Sequence, residues 1–87
     1  MAIVRVIAEN VLGRTSVAFD AHAVRRMAKY GVSEDEVLET LRHPDRMDLR
    51  ADLPERSRYR KDFASGRVDV VFELDVTQVV VWTVWRK

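Results

Sequence analysis

Two segments near the start of the chain are rich in β-branched and other apolar residues, as is typical of short strands. They cover residues 3–8 and 15–19, and Gly13-Arg14 between them favours a turn. The pattern therefore predicts an N-terminal β-hairpin or, if the two segments do not pair, a strand.

Apolar positions then recur at helical spacing. Asp20 is a favourable N-cap, and residues 21–30 place alanine, valine and methionine side chains on one side of a helix. Gly31 favours the left-handed conformation in which many helices end. The sequence predicts a first helix that begins after Asp20 and ends at Tyr30.

A second helix is predicted after a short connection. Ser33 and Glu36 have the spacing of a capping box, in which each side chain accepts a hydrogen bond from the other residue's backbone N–H. His43-Pro44 ends this helix, because the residue before a proline disfavours helical backbone angles. The inward-facing positions of the helix are Val37, Leu38 and Leu41.

The remainder of the chain predicts an antiparallel meander of three or four strands. The candidate strands are residues 46–51, 57–64, 68–74 and 78–85. They are separated by a loop at 52–55, a two-residue turn at Ser65-Gly66 and a turn at 75–77. The last strand is apolar on both faces, which places it inside the sheet. We therefore predict one α+β domain over residues 1–87, with both helices on one face of the sheet.

Composition and charge mainly exclude certain classes of protein and of functional site. The chain has no cysteine, so a disulfide framework, a thiolate metal site and a cysteine nucleophile are all excluded. Residues 3–8 are too short and too interrupted for a signal or membrane segment, so a cytoplasmic protein without a membrane partner is expected. The net charge is only +1, and any case for an anionic partner depends on local clusters.

The first predicted helix carries such a cluster. His22, Arg25, Arg26 and Lys29 fall within one arc of the helix, opposite its apolar side. An imidazole is suited to proton transfer near neutral pH, and Arg26, one turn later, could hold a phosphate against it. The alternative is a histidine that is hydrogen-bonded locally at a helix start and has no chemical role.

A second basic cluster lies on the predicted strand 57–64 and just before it. Strand alternation puts Arg56, Arg58 and Arg60 on one face, and Tyr59, Lys61 and Phe63 on the other. Guanidinium groups bind phosphate oxygens bidentately, which favours a phosphate site. The alternative is an exposed sheet edge that carries charged side chains, with neighbouring acids as their cross-strand partners. The candidate acids are Glu55, Asp62, Asp69 and Glu73.

The last strand adds aromatic groups to these candidates. Alternation predicts that Trp82 and Trp85 lie on opposite faces, one under the helices and one on the open side, with Thr83 beside Trp85 and Arg86 beside Trp82. A tryptophan on an open basic face can stack on an unpaired base, or it can belong to the core or to a dimer interface. No metal-ligand cluster, glycine-rich phosphate loop or Gly-x-Ser-x-Gly motif occurs, so no metal and no cofactor are predicted.

An ordered series of motifs resembles a known family. The motifs are His22-Ala23, Arg26-Met27, Gly31-Val32-Ser33, Glu36-Val37, Pro44-Asp45, Arg58-Tyr59-Arg60 and Thr83-Val84-Trp85. Over residues 17–86 the chain is similar to the small bacterial proteins of domain of unknown function 4258, and it departs from them at Tyr30, where members usually carry arginine. The resemblance implies the compact fold and metal-independent ribonuclease activity of RelE-like and BrnT-like toxins, together with a cognate antitoxin.

These observations predict an endoribonuclease in which the ribose 2′-hydroxyl attacks the adjacent phosphate. The predicted catalytic residues are His22, Arg26, Arg58, Arg60 and Thr83. The predicted phosphate-binding and RNA-binding residues are Arg25, Lys29, Arg56, Lys61 and Arg86. The alternative is a binding module of the same fold, without catalysis, for a protein or RNA partner. A homodimer built on an exposed tryptophan is a third interpretation.

Overall fold

A computed structural model describes residues 2–49 and 56–87. Its elements, in chain order, are β1 (Ile3–Ile7), β2 (Ser16–Asp20), α1 (Ala21–Tyr30), α2 (Glu34–Arg42), β3 (Arg46–Leu49), β4 (Ser57–Phe63), β5 (Gly66–Leu74) and β6 (Gln78–Arg86). Each matches a predicted segment to within a few residues. The predicted loop at 52–55 and the last two residues of the predicted strand 46–51 lie outside the described residues.

All six strands belong to one sheet, in the order β1-β2-β6-β5-β4-β3. The predicted hairpin of β1 and β2 is confirmed, and so is a meander, which has four strands from β3 to β6. The strand layout differs from the prediction in one respect, because β2 pairs with β6 in parallel and joins the hairpin to the meander. The last strand therefore lies inside the sheet, as its apolar faces predict.

The ends of both helices follow the predicted capping signals. The Asp20 carboxylate accepts a hydrogen bond from the backbone N–H of His22 at 2.9 Å, and Gly31 has a φ of 64°, in the left-handed region. Ser33 and Glu36 form both hydrogen bonds of the capping box. Local sequence thus fixes where the two helices begin and where α1 ends.

The hydrophobic core lies between the helices and one face of the sheet, which we call the helix side. Val37 and Leu41 of α2 and Ala23 of α1 are fully buried there. Tyr59 of β4 packs edge-on against Phe72 of β5, with their ring centroids 4.7 Å apart. Residues that alternate with these on the strands project from the opposite surface, which we call the open face.

Candidate functional site

The β4 arginines lie on the open face. Tyr59 and Phe63 pack against the helix-side core, so the alternating residues Arg58 and Arg60 point the other way. The predicted separation of the two faces of this strand is therefore confirmed. β3 extends the same surface, because its pairing with β4 sets Asp48 opposite Arg58 and Arg46 opposite Arg60.

Acidic side chains neutralise part of this surface. Arg60 Nε donates to Asp69 Oδ1 at 2.8 Å, and the Asp69 side chain is only 2% exposed. Arg58 Nη2 donates to Asp48 Oδ2 at 3.2 Å, and Arg46 binds the same carboxylate. The hydrogen bond from Arg58 is the main reason that the pKa of Asp48 is lowered. Arg60 is thus held in a buried ion pair, whereas one carboxylate serves both Arg58 and Arg46.

Of the other acids proposed from the sequence, the two that the structure describes form no ion pair with Arg58 or Arg60. Asp62 lies 3.5 Å from Arg67 on the neighbouring strand. Glu73 forms no ion pair with any described residue. Glu55 lies outside the described residues. The neutralised surface that was the alternative to a phosphate site accounts well for Arg60 and only partly for Arg58.

A β-bulge in β6 changes which side chains reach the open face. Val71 lies opposite Thr83 while the next residue, Phe72, lies opposite Val81, so Trp82 is an extra residue in the strand. Trp85 pairs with Asp69, which is on the open face. The prediction that the two tryptophans face opposite sides of the sheet is therefore wrong, because strict alternation does not hold across a bulge.

Four residues lie at or across β5 from this bulge on the open face, and we call Arg56, Arg58, Trp82 and Thr83 the bulge cluster. The guanidinium carbon of Arg56 lies 4.0 Å from the centroid of the Trp82 ring, which is a close cation–π contact. The β4–β5 register sets Arg58 opposite Val71, and Val71 faces the bulge itself. The cluster thus joins two adjacent basic residues to an aromatic ring and a hydroxyl.

Three N–H groups of the bulge cluster are buried and have no acceptor among the described residues. They are Arg56 Nε, Arg58 Nε and Trp82 Nε1. A buried donor without an acceptor costs about 1–3 kcal/mol, so most such groups in proteins are paired with protein, water or a ligand. The fourth such atom, Arg67 Nε, belongs to the pair with Asp62. Three such donors in one cluster make this part of the open face a candidate site for an anionic oxygen, which would reach them only if the side chains that cover them move.

The predicted cations of α1 form a separate group. Arg25 and Lys29 are exposed, and His22 and Arg26 are half-buried. Arg26 Nη1 donates to the Tyr30 hydroxyl at 3.3 Å, and Lys29 Nζ lies 5.4 Å from the centroid of the Tyr30 ring. None of these four side chains has a carboxylate partner among the described residues. The predicted basic face of α1 is therefore present and is not neutralised within that part of the chain.

The structure does not bring the two predicted groups of catalytic residues together. α1 packs beside β6, and β5 separates β6 from β4, so β4 is about 10 Å from β6 across the sheet. Arg26 contacts Tyr30, which packs on the helix-side core, whereas Arg58 and Arg60 lie on the open face. No hydrogen bond or ion pair among the described residues connects His22 to the bulge cluster. The single phosphate site expected from the sequence is therefore not supported by any direct contact among the described residues.

Lys61 and Arg86, two of the predicted phosphate contacts, are used inside the protein. Lys61 Nζ donates to the backbone carbonyl of His43 at 2.8 Å and so connects β4 to the end of α2. Arg86 Nη2 donates to the Gly31 carbonyl and to Glu36, each at 2.7 Å. Both side chains lie on the helix side, where their positive charge is satisfied by acceptors of the chain itself.

Comparison with known proteins gives one match. The family model described as Domain of unknown function (DUF4258) matches residues 19–86. Neither the curated proteins nor the solved structures contain a match. In the part of the chain that the structure describes, neither helix is long and apolar enough to cross a membrane, and no three His, Cys, Asp or Glu side chains are grouped as metal ligands would be.

Proposed function

The chain belongs to the family of domain of unknown function DUF4258, and on that premise we propose that it binds single-stranded RNA on the open face of its sheet. The observation that supports this most directly is the bulge cluster, with three buried N–H donors for which residues 2–49 and 56–87 provide no acceptor. The proposal assigns phosphate contacts to Arg56 and Arg58, and base stacking to the tryptophans.

The donors of the bulge cluster suit a phosphate group. Phosphate oxygens accept several hydrogen bonds at once, and arginine recognises them with parallel N–H groups. Arg56 has no carboxylate partner among the described residues, and Arg58 shares the Asp48 carboxylate with Arg46. These described side chains therefore carry more positive than negative charge, although the protein as a whole carries only +1.

The aromatic side chains favour an unpaired strand over a duplex. Trp82 and Trp85 are both half-buried and both belong to the open face because of the bulge. A base stacked on an aromatic ring contributes about 1–3 kcal/mol, and only unpaired bases can be splayed out for such stacking. A sheet face that combines arginines with tryptophans is suited to this mode of binding.

Cleavage of the bound RNA is a prediction that goes beyond binding, and it follows from the resemblance to RelE-like and BrnT-like toxins. That prediction assigns catalysis to His22 and Arg26 together with Arg58, Arg60 and Thr83, and no hydrogen bond or ion pair among the described residues joins the helix residues to the strand residues. We therefore propose binding as the function and treat cleavage as an outcome of the same experiment. A cognate antitoxin and a homodimer remain predictions.

Binding is tested by fluorescence anisotropy with a labelled oligouridine and with the corresponding RNA duplex. We expect the single strand to bind more tightly, Arg56→Gln to weaken binding about ten-fold, and Trp82→Ala to weaken it by at least as much. Arg42→Gln removes the same charge from α2, and we expect it to have a smaller effect. Failure of the wild-type protein to bind at low salt, or equal losses for Arg56→Gln and Arg42→Gln, would overturn the proposal.

Cleavage is measured on the same RNA in the presence of a chelator, with His22→Ala and Arg58→Ala as variants. Intact RNA together with normal growth on overexpression supports a binding module. Cleavage that both variants abolish, with growth arrest on induction, would instead support a ribonuclease toxin and would contradict the separation of the two groups.

A further inference from the structure

The basic side chains of α1, which we call the α1 basic row, differ from most cations elsewhere in the described chain. The row consists of His22, Arg25, Arg26 and Lys29. Most other described cations have carboxylate partners, namely Arg5, Arg42, Arg46, Arg58, Arg60, Lys61, Arg67 and Arg86. Of the exceptions, Arg14 donates to backbone carbonyls and Arg56 stacks on Trp82. No described carboxylate pairs with a side chain of the row. A run of positive charge that the protein leaves uncompensated is suited to an anionic partner.

The first turns of the two helices also differ in the charged residues that they contain. α2 carries Glu34, Asp35 and Glu36 in its first turn, where acidic groups are favourable to the helix dipole. The first turn of α1 has no acidic residue and contains His22 instead. Lys29 lies in the last turn, where a cation is favourable to the helix dipole. Helix stability therefore accounts for Lys29 but not for His22, Arg25 and Arg26.

The topology places α1 next to the proposed RNA-binding surface. The pairing of β2 with β6 ends at Phe19 and Val81, so the second half of β6 has no strand partner on that side. α1 follows β2 directly and packs against β6 there. Thr83 and Trp85 lie in this half of β6 and point to the open face. α1 is thus the next element beyond the tryptophans, on the side away from β4.

We infer that the α1 basic row extends the RNA-binding surface and holds phosphates of the segment that continues beyond the tryptophans. The inference rests on the proposed function. Along the helix the row covers seven residue steps, or about 10 Å. An RNA of about four nucleotides would occupy the bulge cluster and tryptophans only, whereas one of about twelve would also reach α1. The longer RNA should therefore bind with more phosphate contacts and a steeper dependence on salt.

The test measures the association constants of oligouridines of about four and about twelve nucleotides over a range of salt concentrations. In single-stranded RNA each phosphate contact contributes about 0.7 to the slope of log K against log salt. We expect the double variant Arg25→Gln, Lys29→Gln to lower the slope of the longer RNA by about 1.4 and to leave that of the shorter one unchanged.

The matched control is the double variant Arg14→Gln, Arg42→Gln. It removes the same amount of charge from other parts of the protein. Arg14 donates to the carbonyl of Asp75, just before β6 begins, and Arg42 is the last residue of α2. We expect it to leave the slope for both RNAs near the wild-type value, and circular dichroism establishes that both variants are folded.

Three results would overturn the inference. If both RNAs bind but the α1 variant keeps the wild-type slope, the proposed function stands and the extension to α1 is wrong. If that variant instead loses affinity for polyglutamate, the row serves an acidic protein. If neither RNA binds the wild-type protein, the proposed function fails and the inference fails with it.

Discussion

Arg86, a predicted phosphate contact, is a structural anchor, and this role can be tested by Arg86→Met. Its Nε donates to the carbonyl of Tyr30 at 3.2 Å, and its Nη2 donates to the carbonyl of Gly31 and to Glu36. Its Nη1 donates to the Ser65 hydroxyl at 2.6 Å. One side chain thus connects the end of α1, the start of α2 and the β4–β5 turn to the last strand.

The expected loss of stability follows from burial. The side chains of Arg86 and Glu36 are 14% and 21% exposed, so water replaces the lost contacts only in part. Hydrogen bonds to charged groups contribute about 1.5–3 kcal/mol each, and breaking a buried ion pair by removing one partner costs about 3–5 kcal/mol. Methionine keeps the apolar stem, and because some water reaches the pair we expect a loss of about 3 kcal/mol at pH 7.

The loss of stability caused by Arg86→Met should depend on pH. The hydrogen bond from Arg86 is the main reason that the pKa of Glu36 lies below its usual value of 4.5. A carboxylate with a lowered pKa in the folded state stabilises the protein above pH 4.5, and this contribution is lost as the pH falls through the folded-state pKa. In Arg86→Met much of that contribution is absent at every pH. The difference in stability between the two proteins should therefore shrink below about pH 4.5.

Urea unfolding at pH 7 and at several lower pH values measures this difference. Arg42→Met is the control, because Arg42 pairs with Glu9 at a more exposed position and should contribute about 1 kcal/mol or less. A loss for Arg86→Met no larger than that of the control would refute the anchoring role. A difference that stays constant as the pH falls would refute the assignment of the effect to Glu36.

Three further substitutions test other parts of the structure by urea unfolding. Asp69→Asn removes the buried carboxylate that Arg60 binds, so we expect the free energy of unfolding to fall by about 3 kcal/mol, and an unchanged midpoint would contradict the buried pair. Gly66→Ala would place a Cβ 2.6 Å from the Lys87 carbonyl oxygen at a φ of 129°, so a loss above about 1 kcal/mol is expected and a neutral result would contradict the geometry. Ser33→Ala should cost about 1 kcal/mol through the lost N-cap, whereas Ser33→Asp should remain near wild type.

The helices were predictable because their signals lie close together in the sequence. Asp20 and Gly31 mark the two ends of α1, and Ser33 and Glu36 form the start of α2 within four residues. Such signals depend on local hydrogen bonds and on allowed backbone angles, which do not require knowledge of the rest of the fold. The parallel pairing of β2 with β6 was not predictable in this way, because its partners are separated by about sixty residues of chain.

The charged surface was predictable only in part, for a related reason. Alternation along β4 correctly separated Arg58 and Arg60 from Tyr59, since it depends on one strand alone. The partners of these arginines depend on the register between strands. Asp48 reaches Arg58 because β3 pairs with β4 in one particular register, so Asp48 was not among the predicted neutralising acids.

The bulge at Trp82 had the largest effect on the site. In a regular strand the residues after Trp82 would alternate without a break, so Thr83 and Trp85 would lie under the helices and Arg86 would join the open face. The extra residue reverses these positions: Thr83 and Trp85 reach the open face, and Arg86 turns to the helix side, where it binds both helices. One inserted position therefore both adds an aromatic side chain to the proposed RNA-binding surface and supplies the anchor between the sheet and the helices. This dual effect couples the stability of the fold to the composition of the site, because a change that removed the bulge would alter both.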